Sequence, residues 1–248
     1  MSRILLEICV DDPAGLAAAQ QGGADRIELC AALGLGGLTP SAGLMALASQ
    51  SDLSVMAMIR PRAGDFVWSD DERAAMLAEI AAVRAAGLAG VVIGASLPDG
   101  RLDGQVLAEQ VAAAEGLDIT LHRAIDLTPD PAQAMRLAAD LGITRVLSSG
   151  GARTALQGLA RLQVMAQAAP MVTVMPGGGV SAANAARFAA ALPLAEIHAS
   201  GSAPVPAPAL AQVAEFGFQP DGARATDAGA VRALRQALDQ IGMSRPAG

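Results

Sequence analysis

QQGGADRIELC, residues 20–30, decides how this chain is read. A helical Ala/Gln run ends at two glycines, and a short apolar segment follows. In that segment Ile27 and Leu29 alternate with Glu28 and Cys30, the period of two that a strand imposes. The same phrase returns as RAAGLAGVVIGA (84–95) and ADLGITRVLSSG (139–150). Single strands alternating with helices predict a parallel sheet. Candidate strands fall near 4–9, 25–30, 54–60, 90–95, 118–123, 144–149, 171–176 and 195–199, each followed by a helical stretch. Eight such units in 248 residues predict an α/β chain folded as one (β/α)8 TIM-type barrel spanning residues 1–248. A doubly wound open sheet is the alternative.

Helix starts are marked by their chemistry. Ser69 with Glu72 fits a capping box, and Asp130–Pro131 supplies an N-cap and a proline at the first helical position. Ser181 is expected to open the seventh helix. Thr226 or Asp227 is expected to open the last, which should stop near Gly242. Residues 200–225, rich in Pro and Ala, read as a long loop with some helical turn between strand 8 and the last helix.

Composition narrows the function. Hydrophobic residues make up 52% of the chain and aromatics 2%, so the core must be aliphatic. There is no lysine; all 17 basic side chains are arginine. A net charge of −7 argues against a general nucleic-acid or anionic-membrane surface, so a bound anion would need a local arginine cluster. No stretch reads as a membrane span. MSRILLEICV is too short and too interrupted by Glu7 for a secretory signal, and a cytoplasmic protein is expected. Two cysteines make no disulfide framework. The apolar helices leave a homo-oligomer open without naming an interface, and no organic cofactor is indicated.

In a barrel one strand parity faces the helices and the other faces the axis. Leu6, Ile8, Ile27 and Leu29 suit the helix side, which turns Glu7, Cys9, Glu28 and Cys30 inward. The same test groups Met56, Met58 and Arg60, then Thr120 and His122, then Glu196, His198 and Ser200. Such an inner face must pair with itself, a ligand or water, because an unpaired buried charge costs several kcal/mol. Active sites of this fold lie at the C-terminal strand ends. Cys9, Cys30, Arg60, His122 and His198 all fall there.

LEICVDD (6–12), GGADRIELC (22–30), LGGLTPS (35–41), MIRPRAGDFVWSDDE (58–72), LHRAID (121–126), LSSGG (147–151) and MPGGGV (175–180) resemble, in this order, the CutC copper homeostasis protein family. The resemblance runs from about Leu5 to Ser202. It implies a cytoplasmic TIM-type barrel tied by name to copper tolerance; in some members two cysteines are proposed to bind Cu(I), and both occur here as Cys9 and Cys30.

Each candidate also has a plainer reading. Cys9 and Cys30, on neighbouring strands and about 5 Å apart if level, could ligate Cu(I), form a reversible disulfide, or simply fill core volume. Arg60, Arg62 and Arg123 at the mouth suit a carboxylate or phosphate, or pair internally with Glu7, Glu28, Asp65 or Asp126. Gly178 and Gly179, and more weakly Ser149 and Gly150, offer backbone amides to an anion, although tight turns need glycine anyway. His198 is a further binding candidate. His122 could act as general acid or base with Glu7 or Glu28, and Asp126 could hold His122 or Arg123. No nucleophile elbow, Walker loop or HExxH motif is present. Three functions follow: a copper homeostasis protein binding Cu(I) at the barrel mouth, an enzyme (lyase, isomerase or hydrolase) acting on a small anionic or phosphorylated metabolite, or a non-catalytic scaffold with a dry, fully paired barrel mouth.

Overall fold

The computed structural model describes residues 3–244. Its core is a sheet of eight parallel strands: β1 (Leu5–Val10), β2 (Arg26–Leu29), β3 (Ser54–Met58), β4 (Gly90–Ile93), β5 (Asp118–Leu121), β6 (Arg145–Ser148), β7 (Thr173–Pro176) and β8 (Glu196–Ala199). Hydrogen-bonded neighbours run β7-β6-β5-β4-β3-β2-β1-β8. β7 and β8 then lie side by side and nearly close the barrel, without a ladder between them. Helices α1 (Pro13–Gly22), α2 (Ala42–Ala48), α3 (Asp70–Ala85), α4 (Gly104–Ala113), α5 (Pro131–Asp140), α6 (Leu159–Ala168) and α7 (Ala185–Ala191) follow the first seven strands. All eight expected strands are present, most of them a residue or more shorter at their ends. Among the described residues no helix is long and apolar enough to cross a membrane.

The predicted helix starts hold where a side chain caps the backbone. Ser69 and Glu72 exchange both bonds of a capping box at α3. Asp130 accepts the Gln133 amide at α5, with Pro131 leading the helix. Asp12 does the same for α1, which ends at Gly23 with φ +87°, a left-handed value that favours glycine. Ser181 does not open α7. Its own amide bonds to the Asn184 side chain, and the helix starts at Ala185.

Residues 200–225 are more ordered than a loop. β9 (Ser202–Pro204) and β10 (Arg224–Thr226) form an antiparallel pair around the short helix α8 (Gln212–Glu215). Asp227, whose carboxylate accepts the Ala230 amide, leads into α9 (Ala228–Ser244), which runs on past Gly242.

Parity sorts the core as alternation requires. Leu6, Ile8, Ile27, Leu29, Val91, Ile93, Leu121, Val146 and Ile197 belong to the apolar layer between sheet and helices. Each such side chain contributes about 1.5–3 kcal/mol by leaving water. Cys30, Met56, Met58 and Val92 form a separate apolar cluster of opposite parity on the barrel's inner side.

Candidate functional site

The barrel interior is layered. Its lower layer, at the N-terminal strand ends, is ionic. Arg26 of β2 bonds Glu7 of β1 at 2.5 Å and also pairs with Glu196 of β8. Glu196 meets Arg145 of β6 at 2.7 Å, and Arg145 reaches Asp118 at 2.9 Å and Thr120 at 3.0 Å. Glu7 is fully buried. Burial alone would raise its pKa, but His198 and Arg26 outweigh burial and bring it down to about 2.

The register carries this layer upward. Glu7 stands level with His198, and Cys9 with Glu28. His198 Nδ1 lies 2.8 Å from Glu7 Oε1, and its Nε2 faces Glu28 Oε2 at 3.9 Å. Burial works against the imidazolium, but Glu28, Cys9 and Glu7 together raise the His198 pKa well above the ordinary histidine value. For Glu28 burial dominates. Aided by the Glu7 charge and opposed by His198, it lifts the pKa to about 7. Cys9 Sγ, a Glu28 carboxylate oxygen and a His198 ring nitrogen all lie within 4.8 Å of one another.

Above them a cavity of about 300 Å³ opens at the C-terminal strand ends. Cys9, Glu28, Arg60, His122, Arg123, Gly178, Gly179 and His198 line it together with Met58 and Phe66. Arg60, 6% exposed, gives Nη1 to the Leu35 and Gly37 carbonyls and Nη2 to that of Gly64. No carboxylate pairs with it among the described residues, and its Nε has no partner. His122 packs on Phe66, with ring centroids 4.9 Å apart, and its Nδ1 accepts the Ala124 amide at 3.1 Å. That bond puts the proton of the neutral ring on Nε2, which is buried and unpaired. Burial and then the Arg60 charge depress the His122 pKa to about 3, so the ring is neutral at physiological pH. Gly94 makes room for it: a Cβ there would meet the ring at 2.2 Å.

Several sequence expectations change. The two sulfurs are not level. Cys9 is opposite Glu28, while Cys30 sits two residues further on, its thiol 3.6 Å from Glu28 Oε2. Burial and the Glu28 charge push the Cys30 thiol up, away from thiolate. Both cysteines are free. His198, not His122, meets Glu7 and Glu28, because β8 and not β5 adjoins β1. Arg62 leaves the mouth: it pairs with Glu72 and Asp65 and lies over the Trp68 ring, bracing the start of α3. Asp126 holds Arg123 at 2.8 Å, as expected, but also takes the Ser149 and Gly151 amides, while Gly150 donates to Ser148 Oγ. The glycine loop after β6 thus carries its own internal anion. Arg26, Arg145, Asp118 and Phe66 were not anticipated. The alternation that turned Glu28 inward turns Arg26 inward as well.

Eight parallel strands in a nearly closed barrel, alternating with helices, define the class of α/β barrels, whose enzymes carry their active sites at the C-terminal rim. Within that class the CutC family model matches residues 4–203, and this chain belongs to the CutC family. A CutC family protein of Rhizobium meliloti is 50% identical over 240 residues, covering 96% of this chain and 98% of the relative. One from Caulobacter vibrioides is 49% identical, covering 94% and 98%. Among solved structures, the chain from Streptococcus agalactiae described as "Putative Copper Homeostasis Protein CutC" superposes with a TM-score of 0.75 at 28% identity, over 79% of this chain and 98% of that one. The N-(5'-phosphoribosyl)anthranilate isomerase of Pyrococcus furiosus, at TM-score 0.56 and 12% identity, covers 96% of this chain and 99% of its own and shares the fold alone.

Proposed function

We propose that the barrel mouth binds a small anionic organic molecule and exchanges a proton with it, as an enzyme of the lyase, isomerase or hydrolase kind. One observation carries this reading. Three buried polar atoms without partners, Arg60 Nε, His122 Nε2 and Glu28 Oε1, belong to side chains lining the same cavity. An unsatisfied buried polar group costs about 1–3 kcal/mol, more if charged. A cavity walled by a cation, a neutral donor and a carboxyl group, each with an unpaired polar atom, suits a ligand that offers those side chains partners. Glu28, titrating near neutrality beside His198, suits proton transfer at physiological pH. With no lysine in the chain, chemistry through a lysine Schiff base is excluded. A thermal-shift screen of small carboxylates and phosphates should find stabilising anions. An unchanged response in Arg60→Ala would remove the reading.

Copper(I) capture is the second reading, supported by the Cys9–Glu28–His198 cluster and by the name of the Streptococcus agalactiae relative. A thiolate and an imidazole suit Cu(I). Glu7 on Nδ1 would hold His198 with Nε2 toward the metal, the outer-shell arrangement common to metal-binding histidines. Cys30 would join only by moving its thiol from Glu28. In anaerobic Cu(I) titration against a chromophoric competitor, Cys9→Ser should lose more affinity than Cys30→Ser. Unchanged affinity in both would end the copper reading.

A further inference from the structure

We infer that the ligand of this chamber carries two oxyanion groups, held at opposite sides of the barrel mouth. This rests on the anion-binding reading and names its substrate class: a short dicarboxylate or a phosphorylated carboxylate.

The strand order fixes the geometry. β3 and β7 are four strands apart in either direction around the barrel, so they face each other across the axis. Arg60 follows β3, and Gly178 and Gly179 follow β7; all three line the cavity. On the β3 side, Arg60 has given both Nη1 protons and one Nη2 proton to carbonyls, which leaves one Nη2 proton for an incoming oxyanion, while its Nε–H is unpaired but covered. On the β7 side, the Gly178 and Gly179 amides donate to no group among the described residues. Both glycines have positive φ, +103° and +73°, so their backbone conformation is one other residues rarely adopt. Arg123 reaches them from β5. A Cβ at Gly178 would lie 3.8 Å from Arg123 Nη1. The other arms of that guanidinium are spent on Asp126, Ser149 and the Ala152 carbonyl, while Nη1 has no acceptor among the described residues. Between them His122 lines the cavity as an uncharged ring whose Nε2–H has no partner. The chain's charge of −7 opposes any anion, so two separate clusters of donors mark two places where negative charge is meant to sit. A cavity of about 300 Å³ admits only a short spacer.

Calorimetry on the wild-type chain at low salt tests this without a variant. Acetate and inorganic phosphate probe one end each; succinate, glutarate and 3-phosphoglycerate span both. A two-ended probe should bind at least tenfold more tightly than either single-ended one, and the winner tells dicarboxylate from phosphocarboxylate. In Gly179→Ala, the two-ended probe should fall to the affinity of acetate while acetate itself is unchanged. Arg60→Lys should weaken acetate and the two-ended probe together. If acetate or phosphate binds as tightly as every two-ended probe, the inference is overturned and the anion reading stands. If no oxyanion binds at all, both fall.

Discussion

The lower and upper halves of the barrel interior hold similar side chains and use them in opposite ways. Below, Arg26 and Arg145 are tied to Glu7, Glu196 and Asp118 in one continuous ion-pair network. Above, Arg60 is just as buried but meets only carbonyl oxygens and an aromatic face, and Glu28 keeps one oxygen bare. Both halves lose the solvation of their charges. Only the lower half recovers it within the protein. Closed pairing marks structure here, and open valence marks the place where something else is expected to bind.

The largest effect should come from breaking the lower network. Arg26→Met leaves Glu7 with His198 alone and Glu196 with Arg145 alone, and should cost about 3–5 kcal/mol in urea unfolding. Arg60→Met frees no carboxylate and should cost about 1–3 kcal/mol, from carbonyls left without a donor. Equal costs would erase the distinction between the halves. Gly94→Ala forces a methyl into the His122 ring and should cost about 1–3 kcal/mol by overpacking, visible as a lowered Tm.

Acid and base should separate the halves further. Glu7, depressed to about 2, contributes stability that is present above its unfolded value of 4.5 and lost as pH falls toward 2. His122, neutral down to about 3, adds a loss from pH 6.5 downward, because the unfolded chain takes the proton first. Glu28 has the opposite sign. Its folded pKa near 7 exceeds 4.5, so its contribution is complete below 4.5 and declines as pH rises through 7. Glu28→Gln should therefore flatten the fall in Tm between pH 5 and pH 8. A slope identical to wild type would show that Glu28 is ionised throughout.

The smallest effect concerns the sulfurs. Cys9 lines the cavity and is 8% exposed, whereas Cys30 is fully buried. A small alkylating reagent followed by mass spectrometry should label Cys9 first in the native protein. Equal labelling would mean that the inner Met-lined cluster is open to solvent.

The fold was legible because period-two alternation and glycine-terminated helices recur along the chain and need no long-range information. The same alternation put Glu7, Cys9, Glu28 and Cys30 on the inner face. What it could not give was register. Whether Cys9 lies opposite Cys30 or Glu28 depends on how far α1 and its loops return the chain, and the answer is a two-residue offset. Partners on non-adjacent strands were hidden for the same reason: Arg26 and Glu196 are 170 residues apart, with β1 between their strands. The loop after β6 misled because its amides, those of Ser149 and Gly151, do bind a carboxylate, one that the chain itself supplies in Asp126.

The missing ladder between β7 and β8 has a mechanical consequence. At that seam the cylinder is fastened by side chains, with Arg26 touching Met175 of β7 at 3.3 Å and Glu196 of β8 at once. A backbone zipper opens one rung at a time, whereas a clasp of this kind opens as a unit. Its strength falls with added salt less than a surface pair's would, because the clasp is shielded from counterions. The wall bearing Gly178 on one side and His198 on the other is therefore the panel of the chamber that can yield without unravelling the remaining seven strand pairings.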